Sequence, residues 1–284
     1  MAEGDAPEPG RFDRDTAVWA EDGDGDARTF GAEVSSEWRA GRGPHGGYLA
    51  AMILRALMLH VDQPERAPRS LTIHYARQPE AGPAAITTTV ERAGRSLSTL
   101  SARLEQDGRM IALALSAFSV PWSGSPEANE IPMPDVAPPE PRREPGGYLQ
   151  QGAPPFTRFI TVQRRFGGRP FPAEPAPMEL GGWLGLAEPR PVDALSLAFF
   201  TDALLPAPFM RLPQPNAAPT IDLTIHFREP MPRVPDPDPT ELVLARVRGG
   251  VMHQGFFEED VTIWAQDGTV LAQSRQLALL LPMG

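Results

Sequence analysis

The chain has 284 residues, which is enough for two domains of about 120 to 130 residues and a connector. Its formal net charge of −10 argues against nonspecific nucleic-acid binding, and the absence of cysteine excludes disulfides, thiolate nucleophiles and cysteine metal sites. No run of about 18 apolar residues is present to cross a bilayer, so we expect no membrane partner. Residues 1–9 are acidic and rich in proline where a signal peptide is basic and then apolar, so we expect a disordered lead and a cytoplasmic protein.

The first half predicts one buried helix with strands on both sides. Short strands at 16–19 and 28–34 lead into a loop at 38–47 that is too rich in glycine to be regular. Residues 48–59 are apolar almost all round, which in a helix means burial on every side. Four strands then follow, at 70–78, 84–91, 97–105 and 109–120. An antiparallel sheet wrapped around the helix accounts for this order.

The second half repeats this plan after a stretch rich in proline and glycine. We predict a first unit at 1–124, an irregular linker at 125–155 and a second unit at 156–284. In the second unit we expect a helix at 194–205, ended by two prolines. Its strands are predicted at 158–166, 178–184, 220–228, 241–248, 255–265 and 269–281.

A five-residue stretch that occurs twice indicates that the two units are copies. The chain reads Leu-Thr-Ile-His-Tyr from Leu71 and Leu-Thr-Ile-His-Phe from Leu223. Each copy follows the apolar helix, and each leads through two strands to an Asp-Gly turn, at Asp107 and at Asp267. The shared order of elements predicts a duplication.

Two such units resemble the double hotdog fold, an α+β architecture in which two antiparallel sheets are each wrapped around a central helix. The sequence His45-Gly46-Gly47 before the buried helix is similar to the loop of many hotdog thioesterases. In the second unit, Asp202, Thr220 and Gln276 match in order and approximate spacing the Asp, Thr and Gln of the type II acyl-CoA thioesterase family. The chain is identified as a member of that family, with a resemblance that covers nearly everything outside the lead and the linker.

The resemblance implies hydrolysis of an acyl-CoA substrate to a free acid and coenzyme A, with no further cofactor. It implies that Asp202 is the general base for an attacking water, and that Thr220 and Gln276 position this water. The chain departs from the family pattern in its Pro-rich linker and in reading His-Gly-Gly where bacterial enzymes of the family carry Gly-Gly-Gln. These departures concern the pocket and the acyl chain more than the reaction.

The residues themselves leave alternatives open at each position. A carboxylate in the apolar stretch around Asp202 would have to be dehydrated, which suits a base, but Asp202 or Thr201 could instead cap a shorter helix that begins at Ala203. Gln276 alternates with the inward residues of its strand, but it could bond only to neighbouring backbone. Thr220 has the outward parity, so it reaches a site only if its strand twists or bulges, and otherwise it is an ordinary strand threonine.

Comparison of the two copies suggests that the acid/base set exists once. Thr220 corresponds to Pro68 and Gln276 to Ser116, and the first helix contains no carboxylate. What the first unit offers instead is Gly46 and Gly47 at a helix N-terminus, whose amides could polarise a carbonyl oxygen. The alternative is a glycine turn needed only for close packing.

Most of the remaining polar residues are expected to have structural roles. We group His45 with Gly46 and Gly47 as a candidate substrate-binding or oxyanion residue, although fixing the loop is a simpler role for it than catalysis. His74 and His226 are expected to be structural because both copies retain them. Arg39 and Arg42 could meet the phosphates of coenzyme A, but solvated surface arginines are the simpler interpretation. No histidine spacing suggests a metal, and no phosphate-binding loop or serine-hydrolase elbow occurs.

Two rival functions and one question of assembly remain open. A hotdog hydratase or dehydratase would use His45 beside its acid, and a noncatalytic acyl-CoA-binding protein would need no base at all. Exposed sheet edges leave room for a homo-oligomer.

Overall fold

A computed structural model describes residues 8–23, 25–41, 43–141 and 153–282. The disordered lead expected at the N-terminus therefore lies mostly outside the described residues, as does part of the linker. The first unit contains the short helix α1 (Arg11–Asp15) and the long helix α2 (Gly46–Val61). Its strands are β1 (Val18–Asp22), β2 (Ala27–Val34), β3 (Ala67–Tyr75), β4 (Gly82–Ala93), β5 (Leu97–Gln106) and β6 (Arg109–Ser119).

Helix α2 begins at the glycine pair, two residues before the predicted start. His45 is its N-cap, and the ring Nδ1 accepts a hydrogen bond from the backbone N–H of Tyr48 at 3.3 Å. The helix ends at Asp62, which adopts the left-handed conformation that often terminates helices. Most of its side chains are buried, as the apolar sequence predicts. None of the described helices is both long and apolar enough to span a membrane.

The second unit has the same plan with a much shorter helix. Helix α3 (Ala194–Phe200) is capped by Asp193, whose carboxylate accepts from the N–H of Ser196 while the Ser196 hydroxyl accepts from the N–H of Asp193. The strands are β7 (Ile160–Phe166), β8 (Glu179–Leu186), β9 (Thr220–Phe227), β10 (Val243–His253), β11 (Phe256–Trp264) and β12 (Val270–Leu279).

The predicted extent of the second helix, 194–205, is wrong at its C-terminal end. The N–H groups of Asp202 and Ala203 bond to the carbonyls of Phe199 and Phe200, three residues back, so the last turn tightens and the helix stops. The capping alternative is also wrong, because within the described residues the next helical turn is a 3-10 segment at Ala207–Met210 that follows Pro206. Asp202 therefore lies in a turn beyond the helix.

The twelve strands form one continuous antiparallel sheet in the order β1-β2-β4-β5-β6-β3-β9-β12-β11-β10-β8-β7. The two units join where β3 pairs with β9, and the hydroxyls of Thr72 and Thr224 lie 3.1 Å apart at this junction. Helices α2 and α3 pack against each other. The double hotdog fold expected from the sequence is the fold of the chain, with its two sheets fused edge to edge.

Strand register reproduces the correspondence between the copies. Leu71 on β3 pairs with Ser116 on β6, and Leu223 on β9 pairs with Gln276 on β12. Each of β3 and β9 also carries an irregularity in register near its start, between Pro68 and Ser70 and between Thr220 and Asp222. The bulge is thus a property of both copies, although Pro68 occupies the position equivalent to Thr220 in the first.

The described part of the linker, up to residue 141, covers the outer face of the second unit. Its apolar side chains pack against a small cluster that includes Trp183 and Trp264. The indole N–H groups of these tryptophans donate to the carbonyls of Ala137 and Ile131. These contacts join residues 125–141 to the sheet, and this described stretch contains no helix or strand.

Candidate active site

The Asp202 carboxylate lies between the two units, at the N-terminus of α2. Its Oδ2 accepts a hydrogen bond from the Gly47 N–H at 2.8 Å, and the side chain is only 14% exposed. A helix N-terminus carries free N–H groups and partial positive charge, so it stabilises a carboxylate without a cation. The tight turn after α3 directs the side chain to this place.

His45 holds the same turn from the other side. Because its Nδ1 accepts from Tyr48, the proton is on Nε2, which donates to the backbone carbonyl of Asp202 at 2.8 Å and lies 3.5 Å from Oδ2. Burial lowers the pKa of His45, although the charge of Asp202 opposes the shift. The ring is therefore neutral with both nitrogens engaged within the loop, which leaves neither free for the substrate-binding or oxyanion role expected from the sequence.

The two glycines permit this close approach of the units. A Cβ atom on Gly47 would lie 2.7 Å from the Phe199 carbonyl oxygen and 3.0 Å from the Asp202 Cβ. On Gly46 it would lie 2.9 Å from Asp202 Oδ2. Such distances are shorter than normal van der Waals contacts, so close packing at both positions favours a residue without a side chain. The Gly47 N–H is occupied by Asp202, which leaves it unavailable as the oxyanion donor predicted from the sequence.

Tyr75 belongs to the site although the sequence analysis did not select it. Its hydroxyl donates to the carbonyl of Gly46 at 2.8 Å. Burial, and next the charge of Asp202, raise the pKa of Tyr75 well above its ordinary value, so the hydroxyl keeps its proton. The signal was present in the repeat, because Tyr75 is the one position where the two five-residue copies differ, and Phe227 replaces it in the second.

Thr220 and Gln276 meet on the inner side of the sheet. The Thr220 hydroxyl donates to Gln276 Oε1 at 3.2 Å, and Gln276 is buried. The bulge between Thr220 and Asp222 shifts the strand by one position, so Thr220 pairs with Ala278 and turns toward Gln276. Strand alternation predicted that the Thr220 side chain points outward unless the strand twists or bulges at its start. The bulge is present, and the side chain reaches Gln276.

Glu259 is a second carboxyl group in this region that the sequence analysis missed. It lies opposite Gln276 across β11 and β12, and its Oε1 accepts a hydrogen bond from Gln276 Nε2. Its Oε2 accepts from the Ala207 N–H at 2.7 Å. Alternation could have revealed it, because Phe257, Glu259 and Val261 share one face of β11 and are all buried.

The pKa of the Glu259 carboxyl group is shifted, and burial is the largest cause. It raises the pKa of Glu259 to about 7. The hydrogen bonds from Ala207 and Gln276 oppose this shift, and the charges of Asp202 and Glu258 add to it. Asp202 is thus close enough to act on Glu259 electrostatically, although no hydrogen bond joins it to Thr220 or Gln276 among the described residues.

The other residues considered from the sequence lie elsewhere or are not described. His74 and His226 are exposed on the outer face of β3 and β9. Arg42 lies outside the described residues, and Arg39 is exposed beside the glycine loop. Within the described ranges, no three acidic or histidine side chains are grouped as a metal site would require. Two surface clefts, of about 730 and 460 Å³, are lined by residues of the second unit and the linker and do not include Asp202.

Comparison with known proteins agrees with this architecture. A family model described as acyl-CoA thioesterase N-terminal domain matches residues 34–119, and one described as acyl-CoA thioesterase C-terminal domain matches residues 132–280. The thioesterase-like protein TwmA of Talaromyces wortmannii is 24% identical, over 90% of this chain and 89% of its own length.

Solved structures share this fold along nearly the whole chain. A hot dog fold protein from Alicyclobacillus acidocaldarius superposes with a TM-score of 0.81 at 26% identity, covering 97% of this chain and 100% of the other. The acyl-CoA thioesterase II TesB2 of Mycobacterium marinum has a TM-score of 0.72 at 18% identity, with 96% and 99% covered. With both domain models matched in order on the two units, the chain belongs to the type II acyl-CoA thioesterase family.

Proposed function

We propose that the protein hydrolyses an acyl-CoA thioester to a free carboxylic acid and coenzyme A, with Asp202 as the general base. The observation that carries this proposal is the position of the Asp202 carboxylate, mostly buried at the N-terminus of α2 and bonded to Gly47. A carboxylate fixed in this way, which forms no ion pair with an arginine among the described residues, is available to accept a proton from water. General-base assistance of this kind contributes about 10² to 10⁴ in rate.

In the proposed reaction, water gives one proton to Asp202 as its oxygen forms a bond to the thioester carbonyl carbon. The tetrahedral intermediate then collapses, the carbon–sulfur bond breaks, and the coenzyme A thiolate takes up the proton held by Asp202, which returns to its carboxylate form. No covalent bond to the enzyme forms. Thr220 and Gln276 are proposed to orient the water, because hydroxyl and amide groups already bonded to each other offer it a preorganised set of partners.

We assign the oxyanion role to the Gly46 amide in place of Gly47. The Gly47 N–H is taken by Asp202, whereas the Gly46 N–H, also in the first turn of α2, has no acceptor among the described residues. Its position at the helix N-terminus suits a developing negative charge on oxygen. The Tyr75 hydroxyl bonds to the carbonyl of the same residue and so supports the helix end.

The rival hydratase function finds less support in the histidine that it would need. Both ring nitrogens of His45 are engaged, one by the Tyr48 N–H and the other by the Asp202 carbonyl. A proton shuttle requires at least one nitrogen that can reach the substrate. We further propose that the reaction serves fatty acid or lipid metabolism in the cytoplasm.

A thiol-release assay over a panel of saturated and unsaturated acyl-CoA esters tests the proposal. We expect free coenzyme A and free acid in equal amounts with at least one acyl chain. Consumption of an enoyl-CoA without free thiol would establish the hydratase instead. Tight binding of acyl-CoA with no thiol released from any ester would establish a binding protein, and either result would contradict hydrolysis.

A further inference from the structure

Glu259 makes two hydrogen bonds at the centre of the second unit, and both come from N–H donors. One donor is the side-chain amide of Gln276, and the other is the backbone of Ala207, at 2.7 Å from Oε2. The residue is 4% exposed, so these donors are its principal partners in place of water. Two N–H donors match an ionised carboxylate, which can only accept.

The contact with Glu259 decides which way the Gln276 amide points. A glutamine amide has an oxygen that accepts and a nitrogen that donates, and the two ends have nearly the same shape. A carboxylate on one side requires the nitrogen to face it. The oxygen must then face Thr220, whose hydroxyl donates to it at 3.2 Å. Without a fixed acceptor at position 259, the amide could rotate and present its nitrogen to Thr220.

The first unit shows that the fold itself does not need an acid here. Glu259 pairs with Gln276 across two strands, and the equivalent pair in the first unit is Leu100 and Ser116. Leu100 is buried in the core at 1% exposure. Since burying a carboxyl group costs free energy that a leucine does not, an acid confined to the copy with Gln276 points to a role connected with that amide.

We propose that Glu259 is a positioning residue for the hydrolysis, which holds the Gln276 amide so that its oxygen faces Thr220 and the attacking water. This inference rests on the proposed function. Glu259 touches neither water nor substrate in this role, because it acts through Gln276. The 3-10 turn at Ala207 is joined to the same carboxylate, so one acid orders both the amide and the segment after Pro206.

This role predicts that activity depends on pH, because only the ionised carboxylate of Glu259 holds the Gln276 amide. The charged or polar groups that act on it are Asp202 from the turn after α3, Gln276 from β12, the Ala207 N–H, and the charge of the adjacent Glu258 on the opposite face of β11. Burial raises the pKa of Glu259 to about 7, so the ionised form prevails only above neutral pH. Activity should therefore fall as the pH is lowered through this value.

The kinetic test compares Glu259→Gln with Glu258→Gln. Glu258 is the next residue on the strand and faces outward, where it bonds to Arg275 and to the amides of Gly250 and Val251. We expect Glu259→Gln to lower kcat by about 10- to 100-fold with little change in KM, because a displaced amide misplaces the water. The fall in activity as the pH is lowered through about 7 should be absent in Glu259→Gln. Glu258→Gln should keep kcat within about twofold and retain that fall.

A second measurement is independent of turnover and of the acyl chain. The side-chain amide signals of Gln276, observed by proton–nitrogen NMR and assigned with Gln276→Ala, should shift with an apparent pKa near 7 in the parent and in Glu258→Gln, and should not titrate in Glu259→Gln. Glu259→Asp, which keeps the acid on a shorter stem, should restore part of kcat and the fall in activity at low pH.

The outcomes separate the two proposals. Hydrolysis by the parent with equal kcat and the same pH profile in folded Glu259→Gln would overturn the role of Glu259 and leave the hydrolase intact. A Gln276 amide that does not respond to pH in the parent would overturn it as well. A parent that releases no thiol refutes hydrolysis, and with it the positioning of water, while the NMR titration would still report the bond itself.

Discussion

The carboxylate of Asp202 accepts its hydrogen bond from the amide of Gly47, a residue of the other hotdog unit, at 2.8 Å. The proposed base is therefore held by residues of both units. The second unit supplies the side chain, and the first supplies the helix N-terminus that stabilises its charge. Neither unit contains this arrangement alone.

Replacement of Gly47 by alanine tests the close contact of the helix ends. The added Cβ would lie 2.7 Å from the Phe199 carbonyl oxygen, so the backbone of α2 or of α3 must move. We expect the free energy of unfolding to fall by about 1 to 3 kcal/mol, as for other overpacked sites, and kcat to fall because Asp202 loses its position. Urea unfolding and thiol release measure the two effects.

Gly168→Ala is a matched control for that variant. The nearest atom to its added Cβ is 3.9 Å away, so it meets ordinary van der Waals space. We expect its stability and activity to stay close to those of the parent. Equal behaviour of the Gly47 and Gly168 variants would show that the glycine at position 47 is not required for the approach of the units.

Replacement of Tyr75 by phenylalanine tests the support of the helix end. The change removes only the hydroxyl that donates to the Gly46 carbonyl at 2.8 Å, and Phe227 shows that the second copy accepts a phenyl ring at this position. We expect a loss of about 1 kcal/mol in the free energy of unfolding, the usual value for one hydrogen bond. Denaturant unfolding that matches the parent would contradict a structural contribution from the hydroxyl.

The dependence of stability on pH should carry the signature of Glu259. Its pKa rises from an ordinary 4.5 to about 7 on folding, so the folded state favours the protonated acid. The contribution of this group to stability is therefore fully present below its pKa in the unfolded chain, 4.5, and is lost as pH rises through its pKa in the folded protein, about 7. By linkage, the loss amounts to about 3 kcal/mol.

Glu259→Gln cannot ionise, so it should gain stability relative to the parent as pH rises. We expect the difference in unfolding free energy between the two proteins to change by up to about 3 kcal/mol between about pH 4 and pH 8. Urea unfolding at several pH values measures it, with Glu258→Gln as the control. A difference that stays constant with pH would mean that Glu259 ionises alike in the folded and unfolded protein.

Sequence patterns predicted the elements whose signals are local. The apolar stretch of α2 is long and uninterrupted, and the alternating strands and the repeated five residues place the same sheet twice. The C-terminal end of α3 could not be predicted from such signals, because the composition of residues 201–205 is compatible with a helix. The helix stops where it does because its end is shaped by contact with the N-terminus of α2, which is remote in sequence.

Some polar residues of the site could likewise be predicted from local patterns, and others could not. Gln276 followed from alternation, whereas Thr220 depends on a bulge that displaces it from its expected face. Glu259 had the inward parity of Phe257 and Val261, but its pairing with Gln276 becomes visible only in the register of β11 and β12. Contacts between strands, and not the composition of any one strand, bring these side chains together.

The most direct test of the general base is single-turnover hydrolysis by Asp202→Asn. Asparagine keeps an oxygen that can accept from the Gly47 N–H, so the fold should remain while the proton acceptor is lost. We expect thiol release to slow by about 10² to 10⁴, with circular dichroism unchanged. Asp260→Asn, which removes a carboxylate from the outer face of β11, should hydrolyse like the parent. A folded Asp202→Asn protein that releases coenzyme A as fast as the parent would contradict the account.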